Sequence, residues 1–242
     1  MRYAVIFFAT ALAFSQQLRE NLPPTPRVEV KRAVSRIVVD GKLDDAVWKA
    51  AVPVELSFPW EQQTGAKQKT VVRLLWDDDN LYAGFDCTDA DIVAVFDQRD
   101  DPTYRDDAVE IFLNPKPSQQ DFYYGLEMNA KAVLYDYLYA FPKLLIKRYD
   151  FTGVQLATHL RGTLNVTSDT DEGWSLELAI PWRNFEEVGG KMPPEPGAVW
   201  TANLNRWDGV EPNRRLSVWS DTGLPRPSPH NPARFGEIVF VK

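Results

Sequence analysis

Glu110 and Glu127 are the first residues to consider for chemistry, because each lies in a short segment with strand-like composition. Two carboxyl groups on either side of a glycosidic bond are the arrangement that glycoside hydrolases use. The sequence does not fix the distance between these two carboxyl groups, so glycoside hydrolysis stays an alternative. No GxSxG, P-loop or GxGxxG motif stands at a strand–helix junction, and no other reaction class gains support from a motif.

The strand-like segments of this sequence also carry side chains that could bind a ligand. Successive side chains of a strand point to opposite faces, so Glu127 and Asn129 share one face, and Asn203, Asn205 and Trp207 share another. Aromatic rings pack against the C–H groups of a sugar, and carboxylates and amides hydrogen-bond its hydroxyls. The pattern therefore favours a polar and aromatic surface that binds saccharides.

Composition excludes several classes of protein. The 242 residues carry 27 Lys and Arg against 34 Asp and Glu, a net charge of −7, which disfavours nucleic-acid binding. One cysteine, Cys87, excludes an intrachain disulfide and a cysteine-built zinc site. Two histidines, His159 and His230, exclude a three-histidine metal centre.

The N-terminus predicts export. A basic start is followed by the apolar run from Ala4 to Phe14 and then by small and polar residues, which is typical of a signal peptide. The run is too short for a transmembrane helix, which needs about 20 residues. We predict a signal peptide over residues 1–16, a proline-rich linker over 17–27, one domain over 28–242, no transmembrane anchor, and a secreted or periplasmic protein.

Strand signals dominate the remainder of the chain. Helical character is limited to Leu43–Ala51 and to one turn at Asn184–Val188, and Asp40-Gly41 is a hairpin-type dipeptide. This content predicts an all-β sandwich or barrel. The strand-like segments are Arg36–Val39, Thr70–Trp76, Leu81–Cys87, Ala108–Leu113, Phe122–Asn129, Ala132–Leu138, Gly153–His159, Gly173–Ile180, Val199–Arg206, Leu216–Trp219 and Glu237–Val241.

Five segments, in order, resemble the family 9 carbohydrate-binding modules and the wider family-9-like, DOMON-like domains. They are 37–48 (IVVDGKLDDAVW), 72–82 (VRLLWDDDNLY), 106–113 (DDAVEIFL), 173–182 (GWSLELAIPW) and 231–236 (NPARFG). The resemblance implies an immunoglobulin-like antiparallel β-sandwich, jelly-roll-like, with one or two short helices. It also implies non-catalytic sugar binding in secreted, bacterial glycan-degrading proteins, with a saccharide ligand and partner glycan-degrading enzymes.

The resemblance also implies a binding site. Its first stacking aromatic falls on Tyr104, beside Arg105, and its strand carboxylate falls on Glu110. The sugar-contacting arginine of the family falls on Glu127, with Asn129 close behind, and its second aromatic falls on Pro229, next to His230. Trp207 would replace the missing aromatic, and Arg206 would pair with Glu127 if their strands face one cleft. The predicted ligand-binding residues are Tyr104, Arg105, Glu110, Glu127, Asn129, Asn205, Arg206, Trp207 and His230.

The departures at Glu127 and Pro229 keep an alternative open, namely an interaction or structural sandwich that has lost sugar binding. The resemblance further implies structural calcium, for which we name Asp86, Asp89 and Asp106 in the acidic stretch between Asp77 and Glu110. The spacing there matches no EF-hand loop, and solvated turns are the alternative.

Overall fold

The computed structural model describes residues 19–140 and 144–242, so the predicted signal peptide lies outside the described residues. One short helix is present, α1 (Glu186–Gly189), with 3-10 turns at Ala46–Ala50, Thr103–Arg105, Trp182–Phe185 and Pro232–Arg234. The strands are β1 (Arg27–Arg32), β2 (Val54–Glu55), β3 (Thr70–Trp76), β4 (Asn80–Thr88), β5 (Ala108–Asn114), β6 (Phe122–Asn129), β7 (Leu134–Ala140), β8 (Leu144–Ile146), β9 (Gln155–Arg161), β10 (Gly173–Pro181), β11 (Val199–Asp208), β12 (Arg215–Val218) and β13 (Gly236–Val241).

The strands form one curled sheet in the order β8-β7-β6-β5-β11-β13-β1-β3-β4-β10-β9, with β12 on β11 and β2 on β3. β1 pairs in parallel with both β13 and β3, and the other pairings are antiparallel. The sheet is therefore mixed, which differs from the fully antiparallel prediction. β1 joins two antiparallel halves because it enters the sheet between the last strand and the first hairpin.

The inner faces of the two halves meet in one hydrophobic core. Ile111 and Leu126 enter it from β5 and β6, and Phe85 and Leu176 enter it from β4 and β10, all fully buried. Each such side chain stabilises the fold by about 1.5–3 kcal/mol. The all-β sandwich prediction is confirmed.

The segment from Ile37 to Ala51 lies over the outer face of β3, β4 and β10. Ile37 and Trp48 pack there against Leu75 and Tyr82. The predicted strand at Arg36–Val39 was wrong, since residues 33–45 contain no strand, and the predicted helix shortens to the 3-10 turn Ala46–Ala50. Because that strand is absent, the interpretation of Asp40-Gly41 as a hairpin dipeptide was also wrong.

Residues 19–26 contain no helix or strand and run along the domain. Arg19 forms an ion pair with Asp221, and its backbone N–H donates to the Gly223 carbonyl at 2.7 Å. The Pro26 carbonyl accepts the Glu237 N–H at 2.9 Å. The domain boundaries stay predictions. Among the described residues, no helix is long and apolar enough to cross a membrane.

Candidate functional site

A cleft of about 280 Å³ opens on the outer face of β5, β6, β7 and β11. It brings together five of the residues named from the sequence. The full lining is Tyr104, Glu110, Glu127, Tyr135, Tyr137, Leu145, Lys147, Trp207 and His230.

The strand register explains how a polar row forms the floor of the cleft. Glu110 on β5 lies directly opposite Glu127 on β6, and Asn205 on β11 lies on the other side of Glu110. Tyr135 on β7 continues the row beyond Glu127. The neighbours of Glu110 in its own strand, Val109 and Ile111, point to the core, so alternation turns the glutamate outward.

The two floor glutamates are buried, with 1% of Glu110 and 3% of Glu127 exposed. Glu127 Oε1 accepts the Tyr137 hydroxyl at 2.7 Å, and Glu110 Oε2 accepts Asn205 Nδ2 at 3.3 Å. Glu127 Oε2 and Asn205 Oδ1 are buried and have no hydrogen-bond partner. The floor therefore contains two buried acceptors that the described residues leave unsatisfied.

Burial also changes the protonation of this pair. Desolvation raises the pKa of Glu110 to about 7, against the opposing effects of Arg214, Asn205 and Trp207. Desolvation and the charge of Glu110 raise the pKa of Glu127 well above its ordinary value. Two carboxylates that face each other in a low-dielectric site cannot both ionise cheaply, so the pair retains protons near neutral pH.

Aromatic rings form the walls. Tyr104, in the 3-10 turn Thr103–Arg105, lies with its ring centroid 5.9 Å from that of Tyr135. The Arg105 guanidinium is 6.0 Å from the Tyr104 ring, at the exposed rim. Trp207, near the end of β11, carries the Arg214 guanidinium 4.4 Å from its ring centroid. Tyr104 and Trp207 are half-buried and keep part of their rings accessible, while Tyr135 is buried.

His230 belongs to an aromatic stack at one end of the cleft. Its ring lies 5.3 Å from Phe112 and 5.6 Å from Tyr139, close to parallel with both. Its Nδ1 is 2.6 Å from the Tyr123 hydroxyl. Burial lowers the pKa of His230 to about 4, so the imidazole is neutral at physiological pH. A flat neutral ring therefore lies one residue beyond Pro229, where the resemblance placed the second aromatic.

Four predicted residues lie outside the cleft lining, namely Arg105 at the rim, Asn205 buried beside Glu110, and Asn129 and Arg206. Asn129, the last residue of β6, is buried and donates to the Phe96 carbonyl at 2.9 Å and to Asp106 at 2.8 Å. Arg206 is fully buried and pairs with Asp89 at 2.8 Å and Asp208 at 2.9 Å. Alternation along β11 turns Arg206 away from the face that carries Asn205 and Trp207, so the pair with Glu127 suggested by the sequence does not form.

Sequence reasoning missed Tyr135, Tyr137, Leu145 and Lys147. The tyrosines at 135, 137 and 139 recur at every second residue, which placed them on one face of a strand and was a readable signal. Leu145 and Lys147 reach the cleft through β8, a strand that the sequence analysis did not predict. Lys147 is exposed and lies 5.4 Å from the Tyr135 ring.

The three carboxylates named for calcium do not form one cluster among the described residues. Asp86 pairs with Arg161 at 2.9 Å, and Asp106 accepts the backbone N–H groups of Val95 and Phe96. The third, Asp89, accepts Arg206. Calcium needs six to eight oxygen ligands. These three residues do not fit it as one site, and calcium stays a prediction.

Asp89 instead groups with Asp107 and Asp208, whose carboxylate oxygens lie within 4.8 Å of one another. Arg206 bridges Asp89 and Asp208, and Arg215 donates to Asp208 at 2.9 Å through Nε. Burial, followed by the charge of Asp89, raises the pKa of Asp107 to about 7. The guanidinium groups already supply the positive charge, so this cluster is explained as an internal ion network.

Sequence comparison finds relatives among xylanases. The chain is 28% identical over 155 residues to endo-1,4-β-xylanase A of Thermoanaerobacterium saccharolyticum, which is 64% of this chain and 12% of that enzyme. It is 23% identical over 205 residues to endo-1,4-β-xylanase A of Thermotoga neapolitana, which is 85% of this chain and 17% of that enzyme. The chain thus spans a small part of the length of the curated relatives it matches.

Solved structures show the same fold. A Bacteroides uniformis protein assigned to carbohydrate binding superposes with a TM-score of 0.73 at 20% identity, over 89% of this chain and 99% of that one. A family 9 carbohydrate-binding module from Caldicellulosiruptor kristjanssonii, solved with cellotriose, superposes with a TM-score of 0.59 at 20% identity, over 89% and 93%.

A family model settles the assignment. The model of the carbohydrate family 9 binding domain-like proteins matches residues 39–242, which is most of the chain. This match confirms the predicted family and the prediction of a binding module in place of an enzyme. The chain belongs to the carbohydrate family 9 binding domain-like proteins.

Proposed function

We propose that the chain binds a saccharide in the cleft between Tyr104 and Trp207, over the floor formed by Glu110 and Glu127. The observation that carries the proposal is the buried row Asn205–Glu110–Glu127, whose two glutamates line an opening with aromatic walls. Among the described residues, Glu127 Oε2 has no hydrogen-bond partner. The Caldicellulosiruptor modules solved with cellotriose and with glucose support a sugar as the ligand.

The cleft offers two kinds of contact to a sugar. The accessible parts of the Tyr104 and Trp207 rings would pack against its C–H groups. The oxygens of Glu110, Glu127 and Asn205 would accept hydrogen bonds from its hydroxyl groups, which would satisfy the buried acceptors that the chain leaves without partners. Binding of this kind breaks no bond in the ligand, as expected for a module that anchors a glycan.

Substitution of Tyr104 tests the proposal. Tyr104→Ala removes one wall, and we expect it to weaken saccharide binding by about 1–3 kcal/mol, the range for flat rings stacked on aromatic side chains. A glycan array identifies the ligand, and isothermal titration calorimetry measures its affinity. Tyr104→Phe is the matched control and keeps most of the affinity, because it retains the ring. Equal affinities of Tyr104→Ala and the parent protein would remove Tyr104 from the site.

A sandwich that has lost sugar binding is the second candidate. The Arg214 guanidinium over the Trp207 ring favours it, since that cation already occupies one face of the wall. This alternative predicts a blank glycan array from protein that is folded by circular dichroism.

We place this activity outside the cytoplasm, alongside glycan-degrading enzymes. The xylanase relatives and the composition of residues 1–16 support that placement. Cell fractionation followed by immunoblotting tests it.

Calcium is tested separately: a lower unfolding temperature after treatment with EDTA would support bound calcium, and an unchanged temperature would contradict it.

A further inference from the structure

The floor of the cleft differs from an ordinary sugar-binding surface in its balance of donors and acceptors. Among the described residues, Glu127 Oε2 and Asn205 Oδ1 are buried acceptors without partners. Glu127 accepts a hydrogen bond from the Tyr137 hydroxyl, and Glu110 accepts from the Asn205 amide and interacts with the Trp207 indole N–H. An unsatisfied buried acceptor costs about 1–3 kcal/mol. When the glutamates are ionised, a ligand that only donates at this point suits the floor better than one that must also accept.

The charges around the floor also favour a ligand that donates hydrogen bonds and carries positive charge. Among the described residues, the lining carries the carboxyl groups of Glu110 and Glu127 and one cation, Lys147, while His230 is neutral. The facing tyrosines, Tyr104, Tyr123, Tyr135 and Tyr137, carry no charge at neutral pH. Arg214 interacts with Glu110 and Glu127, but it lies over Trp207, donates to the Asp106 carbonyl at 3.2 Å and also interacts with Asp107 and Glu211. Among the described residues, the two glutamates therefore face one lining cation, Lys147, and an Arg214 charge that they share with Asp107 and Glu211.

We propose that the cleft prefers saccharides built of 2-amino-2-deoxyhexose units over neutral hexoses, with the ligand ammonium against Glu110 and Glu127. This inference rests on the proposed function, because it names the class of sugar for the same cleft. An ammonium group has three donors and no acceptor, which matches the surplus of acceptors. Its hydrogen bonds to carboxylates are about twice as strong as those of neutral groups.

The walls favour the same ligand. A cation is attracted to the face of an aromatic ring within about 6 Å of its centroid. Tyr104 and Trp207 are half-buried and line the cleft beside the floor, and the buried Tyr135 lies next to Glu127. An N-acetyl group would remove the charge and bring a carbonyl acceptor toward Glu127 Oε2, so the acetylated sugar fits the floor less well than the free amine.

Calorimetry on the full chain tests the preference. The probes are the β-1,4-linked dimer of glucosamine, its N,N′-diacetyl form and cellobiose, at pH 6, where the glucosamine amine is protonated. We expect the glucosamine dimer to bind at least tenfold more tightly than cellobiose. Titrations in two buffers of different ionisation enthalpy should show net proton release with the glucosamine dimer only, because a bound ammonium stabilises the ionised carboxylates.

Two variants separate the floor from general attraction to an acidic protein. Glu127→Gln keeps the shape of the side chain and removes the charge, and should abolish both the preference and the proton release. Glu177→Gln is the matched control, since Glu177 is equally buried on the opposite outer face and is bound by the protein's own donors. It should keep the preference, with folding checked by circular dichroism.

Three outcomes would overturn the inference. Cellobiose binding as tightly as the glucosamine dimer would refute the preference and leave the proposed function intact. A preference that survives in Glu127→Gln would place the selectivity elsewhere. Absence of binding by all three sugars to folded protein, together with a blank glycan array, would remove the proposed function and this inference with it.

Discussion

The two outer faces of the sandwich each present a buried glutamate in mid-strand, and they treat it differently. On β10, Glu177 Oε1 accepts the Trp48 indole N–H at 2.8 Å, and Oε2 accepts the backbone N–H groups of Asp40 and Gly41 at 2.9 and 2.8 Å. On β6, Glu127 accepts one hydrogen bond, from Tyr137, and its Oε2 has no partner. Burial is nearly the same, at 1% and 3% exposed.

The difference lies in what covers each face. The segment from Ile37 to Ala51 folds over β10 and brings its own donors to Glu177, so that face is complete without a ligand. Over Glu127 the described part of the chain forms a cleft. A buried glutamate is therefore structural where the chain supplies its donors, and it is a binding residue where the chain leaves an acceptor facing an opening.

The largest effect on stability is expected from weakening the segment from Ile37 to Ala51, which covers Glu177. Trp48→Ala deletes a side chain that is 3% exposed and also takes a donor from Glu177, so we expect a loss of about 3–5 kcal/mol in the free energy of unfolding. Urea denaturation measures this loss. Saccharide affinity of the folded fraction should not change, because Trp48 lies on the opposite outer face. A parallel loss of affinity would show that the two faces are coupled.

The second largest effect is expected from the pH dependence of stability, which the buried Glu110 on the cleft face contributes to. The pKa of Glu110 is about 7 in the folded protein against 4.5 for an ordinary glutamate, so its contribution to stability is fully present below pH 4.5 and is lost as the pH rises through 7. This shift corresponds to about 3 kcal/mol at most. The pKa values of Asp107 (about 7) and Asp136 (about 6) are also raised, so these two groups change stability with pH in the same direction.

Thermal unfolding at pH 5 to 8 measures this dependence. We expect the unfolding temperature to fall across that range, and we expect Glu110→Gln to fall less steeply because the titrating group is gone. A slope in the variant equal to that of the parent protein would show that Glu110 is not the group responsible.

A smaller effect is expected at two glycines, Gly125 and Gly84, each of which lies against a side chain on its outer face. A Cβ at Gly125 would overlap the Tyr137 ring, lying 2.6 Å from its hydroxyl oxygen. Gly125→Ala should therefore displace Tyr137 from Glu127, cost about 1–3 kcal/mol of stability and weaken saccharide binding. A Cβ at Gly84 would meet the end of the flexible Leu43 side chain, so Gly84→Ala is the control that changes stability alone. Equal sugar affinity in both variants would contradict a role for Tyr137 in the cleft.

Much of the fold was predictable because strand signals are local. The alternation in β10 and the apolar run of β3 identify those strands without tertiary information. The strand predicted at Arg36–Val39 was wrong because its apolar residues pack as a cover on β3 and β4, and a β-branched run alone does not separate a strand from a packed loop. β1, β2 and β8 were missed because their short or charged sequences depend on their partners.

The site was predictable to the extent that it follows strand register. The resemblance named Tyr104 and Glu110 for one site, and alternation placed Glu127 and Asn129 on one face, of which only Glu127 lines the cleft. Sequence could not show that Glu127 would lack a second donor, because this depends on which loop covers the strand. It also could not place Lys147, which reaches the cleft through a strand formed by tertiary pairing with β7.

The smallest effect is expected at Lys147, the one cation among the described residues that line the cleft. Lys147→Met removes its positive charge and retains an unbranched apolar chain over Tyr135. A lysine at the exposed rim opposes a ligand ammonium by about 0.5–1 kcal/mol, since two exposed charges near 4 Å interact by about 1 kcal/mol in water and less when salt screens them. We expect the ratio of glucosamine-dimer to cellobiose affinity to rise about threefold in calorimetry at low salt, and the rise to shrink in 0.5 M NaCl. A ratio that falls would mean that Lys147 assists the amino sugar, which would place the ammonium away from the Glu110–Glu127 floor.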